Sequence, residues 1–407
     1  MARVIVLGGC GAVGRVAATT LDQSGGFEEV IIADLSGKAV RALAATLGPS
    51  VSGVALDVTD EPALRRAVRR ADVVLNCVGP FYKTVRRILS VVIDEGVDYV
   101  DVCDDVDATL EILELDEVAK AAGVRALIGM GSSPGVTNIL ARFAAETLLD
   151  ETEAVDIFHA HGGEPVEGAG VIGHRFHCMS IPIPMFLEGC IQYVDYFGAD
   201  GIALRQVFDF PMIGDDIPLY PYPHPEQVTL PRHLSLKQVT NKGTVLPNEY
   251  YELTRDLCQL GLASREPVEV GGESIVPHDF AVAYIQRERD RILEAQAFGQ
   301  QRGCVSVLVR GTRAGEPTEY RFHLASRTQA LGEGTGIPAA VGAILMGTGR
   351  IEGAGVFPPE AGLKPMDFLE VIPRLVKVDS EGGGGFQGVR VERVDAQGTV
   401  TEMNLFT

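Results

Sequence analysis

No apolar run in this 407-residue chain approaches the roughly 20 residues that cross a bilayer, so no membrane partner is expected. The chain is short of base: 35 Lys and Arg stand against 55 Asp and Glu, a formal net charge of −20. Nucleic acid and anionic membrane surfaces would be repelled, although a local basic pocket can still receive a small anion. The cysteines (Cys10, Cys77, Cys103, Cys178, Cys190, Cys258 and Cys304) stand singly, with no CxxC pair. That spacing argues against a zinc knuckle or a thioredoxin-type motif and suits reduced thiols in a cytoplasmic protein. His159 and His161 lack a cysteine or acidic partner at ligand spacing, so no metal site is expected. A repeat of fixed period is missing as well. The opening apolar run, Val4 to Leu7, is too short for an export signal and has the length of a buried strand.

What is present is rhythm. Up to about residue 130, short apolar runs ("VIVLG", "EVIIAD", "GVALDV", "DVVLNCVG", "YVDVCD", "RALIGMG") alternate with amphipathic stretches. Continuous apolar strands spaced by helices predict a parallel sheet covered on both faces, a doubly wound Rossmann-type α/β fold. From about Glu151 longer strands such as "EAVDIFHAHGG", "GCVSVLVRG" and "TEYRFHLAS" predict a second, α+β domain. Within it, helices are expected near Asn248 to Leu262 and Phe280 to Phe298, and the proline-rich "GDDIPLYPYPHPEQVTLPRHL" reads as an extended loop or lid. Helical patterns return after Gly334, "GGGG" at Gly382 to Gly385 reads as a flexible turn, and "DAQG" marks a terminal hairpin.

"GCGAVG" sets Gly9, Gly11 and Gly14 in a GxGxxG pattern directly after the first strand. Gly9 permits the tight turn, Gly11 admits a pyrophosphate to the backbone, and Gly14 lets the helix lie on the strand. The helix start at Ala12 and Val13 offers free N–H groups to phosphate oxygens. Asp34, 20 residues after Gly14, ends the second strand where an acidic side chain accepts the adenosine ribose hydroxyls. It also repels a 2′-phosphate, so NAD is expected ahead of NADP; the alternative is that Asp34 caps the segment beginning at Ser36. By the same fold logic Asp57 and Val58 lie near the adenine, and Cys77, Val78, Gly79 and Pro80 lie on the path to the nicotinamide. Plain strand-to-helix turn chemistry is the other reading of both stretches.

Joined to "GSSPGVTN" and "GTGIPAAVGAILMGTGRIEGAGVFPPEAG", these pieces resemble the saccharopine dehydrogenase-like family. The family includes saccharopine reductases, lysine 6-dehydrogenases and carboxynorspermidine dehydrogenases. The likeness is good over the first 140 residues and Gly334 to Leu369, and loose between them. It implies a dinucleotide-binding domain over 1–140 and a substrate and dimerisation domain over 141–333. Residues 334–407 would then return to the first domain. It also implies an active site between the domains, with the nicotinamide near the "GSSPG" turn. Ser133, Pro134, Gly135 and Asn138, with Thr335 and Gly336, are then expected to line the substrate.

The chemistry so implied is hydride transfer between nicotinamide and a carbon bonded to nitrogen, for which the protein supplies proton transfer and a carboxylate clamp. Asp104, crowded by Asp101, Asp105 and Asp107, is a candidate base, since neighbouring like charges raise a carboxyl pKa; a solvated acidic loop is the bland alternative. In "GHRFHCMS", read as a strand, Arg175 and His177 share a face and suit a carboxylate grip, unless they are a surface arginine and a packed histidine. Lys83 meets a substrate carboxylate or faces solvent, and His224 anchors its loop or meets substrate. Asp104 and Ser133 stand where some saccharopine reductases carry tyrosine and aspartate. Three readings follow: an NAD-dependent amine or imine oxidoreductase of the lysine 6-dehydrogenase kind, a reductive amine–carbonyl condensing enzyme, or a non-catalytic NAD-binding sensor or assembly subunit. A small-molecule amine or amino acid substrate and a homodimer are expected.

Overall fold

A computed structural model describes residues 1–164, 167–211, 213–326, 332–375 and 389–405. The turn expected at 382–385 lies outside the described residues. The chain forms two compact units. The first takes Met1–Asp150, His224–Ser235 and, of the described residues, 332–375; the second takes Glu151–Pro223 with residues 236–326 and 389–405.

In the first unit strands and helices alternate as the sequence rhythm predicts. Strands β1 (Arg3–Leu7), β2 (Glu29–Asp34), β3 (Val51–Ala55), β4 (Val73–Asn76), β5 (Asp98–Asp101) and β6 (Arg125–Leu127) are interleaved with helices. The helices are α1 (Ala12–Ser24), α2 (Gly37–Ala44), α3 (Glu61–Val68), α4 (Phe81–Asp94), α5 (Val106–Leu113), α6 (Asp116–Ala122) and α7 (Val136–Phe143). A further parallel strand, Gly355–Phe357, completes a seven-stranded sheet in the order 355–357, β6, β5, β4, β1, β2, β3. Val4 to Leu7 and all of β4 are buried, which is why these segments read as unbroken apolar runs. α4 buries Phe81, Val85, Ile88, Leu89 and Val92, a stripe at helical spacing that seats it on the sheet. Helix Gly332–Gly347 packs on α1 at Gly336, where an added Cβ would lie 2.7 Å from the Val13 carbonyl oxygen.

In the second unit a ten-stranded mixed sheet runs in the order 206–210, 214–221, 238–246, 151–162, 302–313, 316–326, 389–394, 400–403. Strands 183–187 and 190–194 branch from the edge of 238–246. Strand Gln238–Leu246 runs parallel to Glu151–Gly162, and its other pairings are antiparallel. One core joins Ile172, Phe176, Met179, Tyr250, Tyr251, Ala281 and Ile285.

Three sequence readings need correction. "GHRFHCMS" belongs to helix Ala169–Ser180, not to a strand, because Ile172, Phe176 and Met179 recur at helical spacing and fill the core. The proline-rich stretch is not a loop. It folds as strand Gly214–Pro221 and helix Glu226–His233, and that helix joins the first unit although it lies within the expected second domain. The terminal hairpin does not return to the first domain: Val389–Val394 pairs with Glu316–Ser326, so the tail extends the second sheet.

Candidate active site

The glycine turn is built as a phosphate cradle demands. The Gly11 N–H bonds to the Gly8 carbonyl at 3.1 Å, and α1 begins at Ala12 with no side chain capping its N-terminus. The N–H groups of the first turn have no acceptor within the helix, so they are offered to an anion. An added Cβ on Gly14 would fall 2.3 Å from the Gly8 oxygen, and one on Gly9 would fall 2.8 Å from Ile32. No larger residue fits either place.

Asp34 ends β2 beside this turn, and its Oδ2 accepts the Cys10 N–H at 3.0 Å. The cap of α2 is Ser36, whose hydroxyl accepts the Ala39 N–H at 3.2 Å. Asp57 is exposed; hydrogen bonds from the Thr59 side chain and backbone hold its carboxyl below the usual range. β4 leaves the sheet next to β1: the Cys77 N–H bonds to the Leu7 carbonyl, and the Val78 N–H bonds to Asn76 Oδ1. The order β3, β2, β1, β4, β5, β6 therefore sets an adenine side and a nicotinamide side for any dinucleotide lying along the carboxyl ends.

Where β5 and β6 leave the sheet, buried Asp101 ties the two exits together. Its Oδ1 accepts the Cys103 N–H at 3.0 Å and the Gly129 N–H at 2.7 Å. Burial pushes its carboxyl up to about 6 against the pull of those donors, and nearby Asp104 adds to the rise. Asp105 is also committed, accepting the Tyr82 N–H at 3.0 Å. Lys83 stands on the exposed side of α4, its Nζ 5.6 Å from the Tyr82 ring centre.

The turn after β6 carries a buried polar cluster that local sequence patterns do not disclose. Ser133 Oγ donates to Glu226 Oε1 at 2.6 Å, Thr137 Oγ1 donates to the same oxygen at 2.8 Å, and His224 Nδ1 lies 2.8 Å from Glu226 Oε2. Asn138 Oδ1 accepts the Gly135 N–H, while its Nδ2 donates to Glu360 Oε2 at 2.8 Å. Glu360 is 2% exposed, its Oε1 finds no partner among the described residues, and burial pushes its carboxyl up to about 7.

Several expected substrate residues do other work here. Asn138 is 1% exposed and fastens the turn, with both ends of its amide bonded. Pro134 and Gly135 are buried, and Gly135 has φ 127° with no room for a Cβ beside Gly131. Thr335 lies at Gly131, whereas Gly336 is a helix-packing contact on α1 rather than a wall of the site. Ser133 is half-buried. In the second unit Arg175 is buried in an ion pair with Glu167 and bonds Tyr250 Oη at 3.0 Å, so it is a core residue and not an open clamp. His177 lies two residues further along the same helix, on a different face from Arg175. Glu226, Glu360 and Asp101 were missed; the "HPE" and "PPE" triplets were the only local hints.

Comparison with known proteins agrees with this architecture. The family model described as the saccharopine dehydrogenase NADP binding domain matches residues 4–127. Carboxyaminopropylagmatine dehydrogenase of Synechocystis sp. is 26% identical over 395 residues, covering 91% of this chain and 94% of that protein. Carboxynorspermidine synthase of Vibrio cholerae is 25% identical over 337 residues, covering 75% of this chain and 76% of that protein. Among solved structures, apo saccharopine dehydrogenase (L-Glu forming) from Saccharomyces cerevisiae superposes with a TM-score of 0.67 at 16% identity, covering 97% of this chain and 100% of that one. This last likeness speaks for the fold alone. Residues 4–127, in the first unit, are thus similar to the pyridine-nucleotide-binding domain of saccharopine dehydrogenases, and the chain as a whole is similar to the two curated relatives.

Proposed function

We propose that this protein is a pyridine-nucleotide-dependent oxidoreductase of a C–N centre, forming or oxidising the secondary amine that joins a carboxyl-bearing carbon to an amine or polyamine. The observation that carries the reading is the alignment of the cradle at β1 with the Ser133–His224–Glu226 cluster past β5, along one sheet edge. The two curated relatives, whose names speak of a carboxyaminopropylagmatine and a carboxynorspermidine, narrow the substrate to the polyamine-related side. The name of the second, a synthase, favours reductive condensation over simple oxidation of a primary amine.

Gly9, Gly11, Ala12, Val13 and Gly14 would hold the pyrophosphate; Asp34 the adenosine ribose; Asp57 and Val58 the adenine; and Cys77 to Pro80 the nicotinamide side. When bound, the nucleotide supplies or accepts the hydride. The chain's own part is to orient, to exclude water and to carry protons. Asp104 and Ser133 would face the substrate, with Lys83 and His177 as candidates for its charged ends. Asp34 favours NAD, since a 2′-phosphate there would meet a carboxylate already committed to the Cys10 N–H. The family model's description speaks of NADP, so the choice is an experimental one.

The test has two stages. Titration with NADH and NADPH, followed by nucleotide fluorescence, reads the cofactor; tighter NADPH would end the assignment of Asp34. Nucleotide oxidation is then followed with diamines, agmatine and polyamines offered together with a carboxyl-bearing aldehyde. Silence across that panel with cofactor binding intact would instead favour a dinucleotide sensor.

A further inference from the structure

We propose that His224 is the group that exchanges a proton with the substrate nitrogen, and that Glu226 sets its tautomer and aim. The proposal rests on the oxidoreductase reading above and deepens it.

Glu226 is 0% exposed, and three side chains converge on its carboxyl group: Ser133, Thr137 and His224. Burial alone would raise this carboxyl, but His224, with help from Ser133, outweighs burial and holds it below the usual range. A charged carboxylate only accepts hydrogen bonds, so the His224 nitrogen against it carries the proton. Nδ1–H therefore points at Glu226, and Nε2 is the ring nitrogen that would gain or lose a proton. The segment that carries the ring is held as well, because the His224 backbone N–H donates to Gln227 Oε1 at 2.8 Å, and the residue is 6% exposed. A hydroxyl pair and a buried carboxylate from two chain segments are more than a histidine needs merely to pack.

The cluster also lies where the reaction needs it. Ser133 belongs to the turn that follows β6, on the nicotinamide side of the sheet edge. An ammonium nitrogen has no lone pair, so it cannot form the C=N bond while its carbon loses a hydride. His224 Nε2 takes the ammonium proton; the C–H pair then leaves as hydride, the nitrogen pair closes the C=N bond, and an iminium remains. In the reductive direction the imidazolium returns that proton to the amine as it forms. The charged group seen against the ring is Glu226 on its own segment, and Glu360, on the short helix Pro359–Gly362, interacts in turn with Glu226.

The test uses the full chain and two variants, His224→Gln and Glu226→Gln. Nitrogen NMR of the histidine rings, without cofactor or substrate, should show one ring locked as Nδ1–H; that signal should vanish in H224Q and lose its tautomer bias in E226Q. Both variants should bind NADH or NADPH as the parent does. Hydride transfer in H224Q should fall at least about 100-fold and lose one limb of its pH profile, with partial rescue by added imidazole. In E226Q that limb should shift. An H224Q protein that transfers hydride within about threefold of the parent, with an unchanged pH profile, overturns the proposal while leaving the oxidoreductase reading intact. A parent silent on every amine overturns both. Should H224Q fail to fold, E226Q decides: an unmoved limb or an unbiased ring in the parent overturns the assignment.

Discussion

Ser133 and Glu226, 93 positions apart in sequence, share a hydrogen bond of 2.6 Å that binds the turn after β6 to helix Glu226–His233. Ser133→Ala combined with Thr137→Val would strip Glu226 of two donors, leaving His224. The loss should amount to about 1–3 kcal/mol, read by urea denaturation. A carboxyl held below its unfolded value stabilises above that value and stops doing so as pH falls through its folded pKa. Without those donors the folded pKa rises, so acid unfolding followed by circular dichroism should begin at higher pH in the double variant.

Glu360 carries the opposite sign. Its folded carboxyl, near 7 against a usual 4.5, favours the protonated state, so its stabilising contribution is full at low pH and is lost as pH rises through that interval. Glu360→Gln should flatten the stability curve there and be the more stable protein at and above neutrality, by up to about 3 kcal/mol. Asp101, near 6 against 3.8, acts in the same sense over a lower window and should persist in the variant. Equal slopes for parent and variant between pH 6 and 7 would refute the assignment to Glu360.

Gly14→Ala places a methyl 2.3 Å from the Gly8 oxygen. Relief of about 1–3 kcal/mol of overpacking must come from moving α1 off the turn. At ~1.4 kcal/mol per decade, dinucleotide affinity should drop about 10- to 100-fold. Isothermal titration with NADH checks this, and unaltered affinity would remove the turn from the cofactor site.

Arg175→Met tests whether that arginine belongs to a core or to a substrate clamp. The variant leaves buried Glu167 with Arg289 at 3.3 Å and Tyr250 as partners. Breaking such a pair should cost about 3 kcal/mol in chemical denaturation. Nucleotide affinity should not change. A KM that rises with stability unaltered would restore the clamp.

Local pattern carried the reading a long way. Strands in the first unit are buried on both faces, so "VIVLG" and "DVVLN" announce themselves, and the glycine spacing marks the tight turn between β1 and α1 without any tertiary knowledge. The failures have physical causes. In "GHRFHCMS" the alternating Arg175 and His177 suggested a strand, while Ile172, Phe176 and Met179 were recording a helix at longer period. His224 was legible only as a loop anchor or a substrate contact, and Glu226 was invisible because its partners Ser133 and Thr137 lie on the turn after β6 and on α7, far back along the chain. The terminal hairpin was legible from "DAQG", yet its partner strand is set by tertiary pairing that no local signal encodes.

The chain passes from one unit to the other five times. Neither unit is a cassette that a gene could gain, lose or exchange by one cut at each end. Deleting 151–326 would also remove His224 and Glu226, and with them the side chains that Ser133 and Thr137 require. Change in the second unit must therefore come by substitution and loop exchange, with the 224–235 segment kept as a fixed point on which both the turn and its chemistry depend.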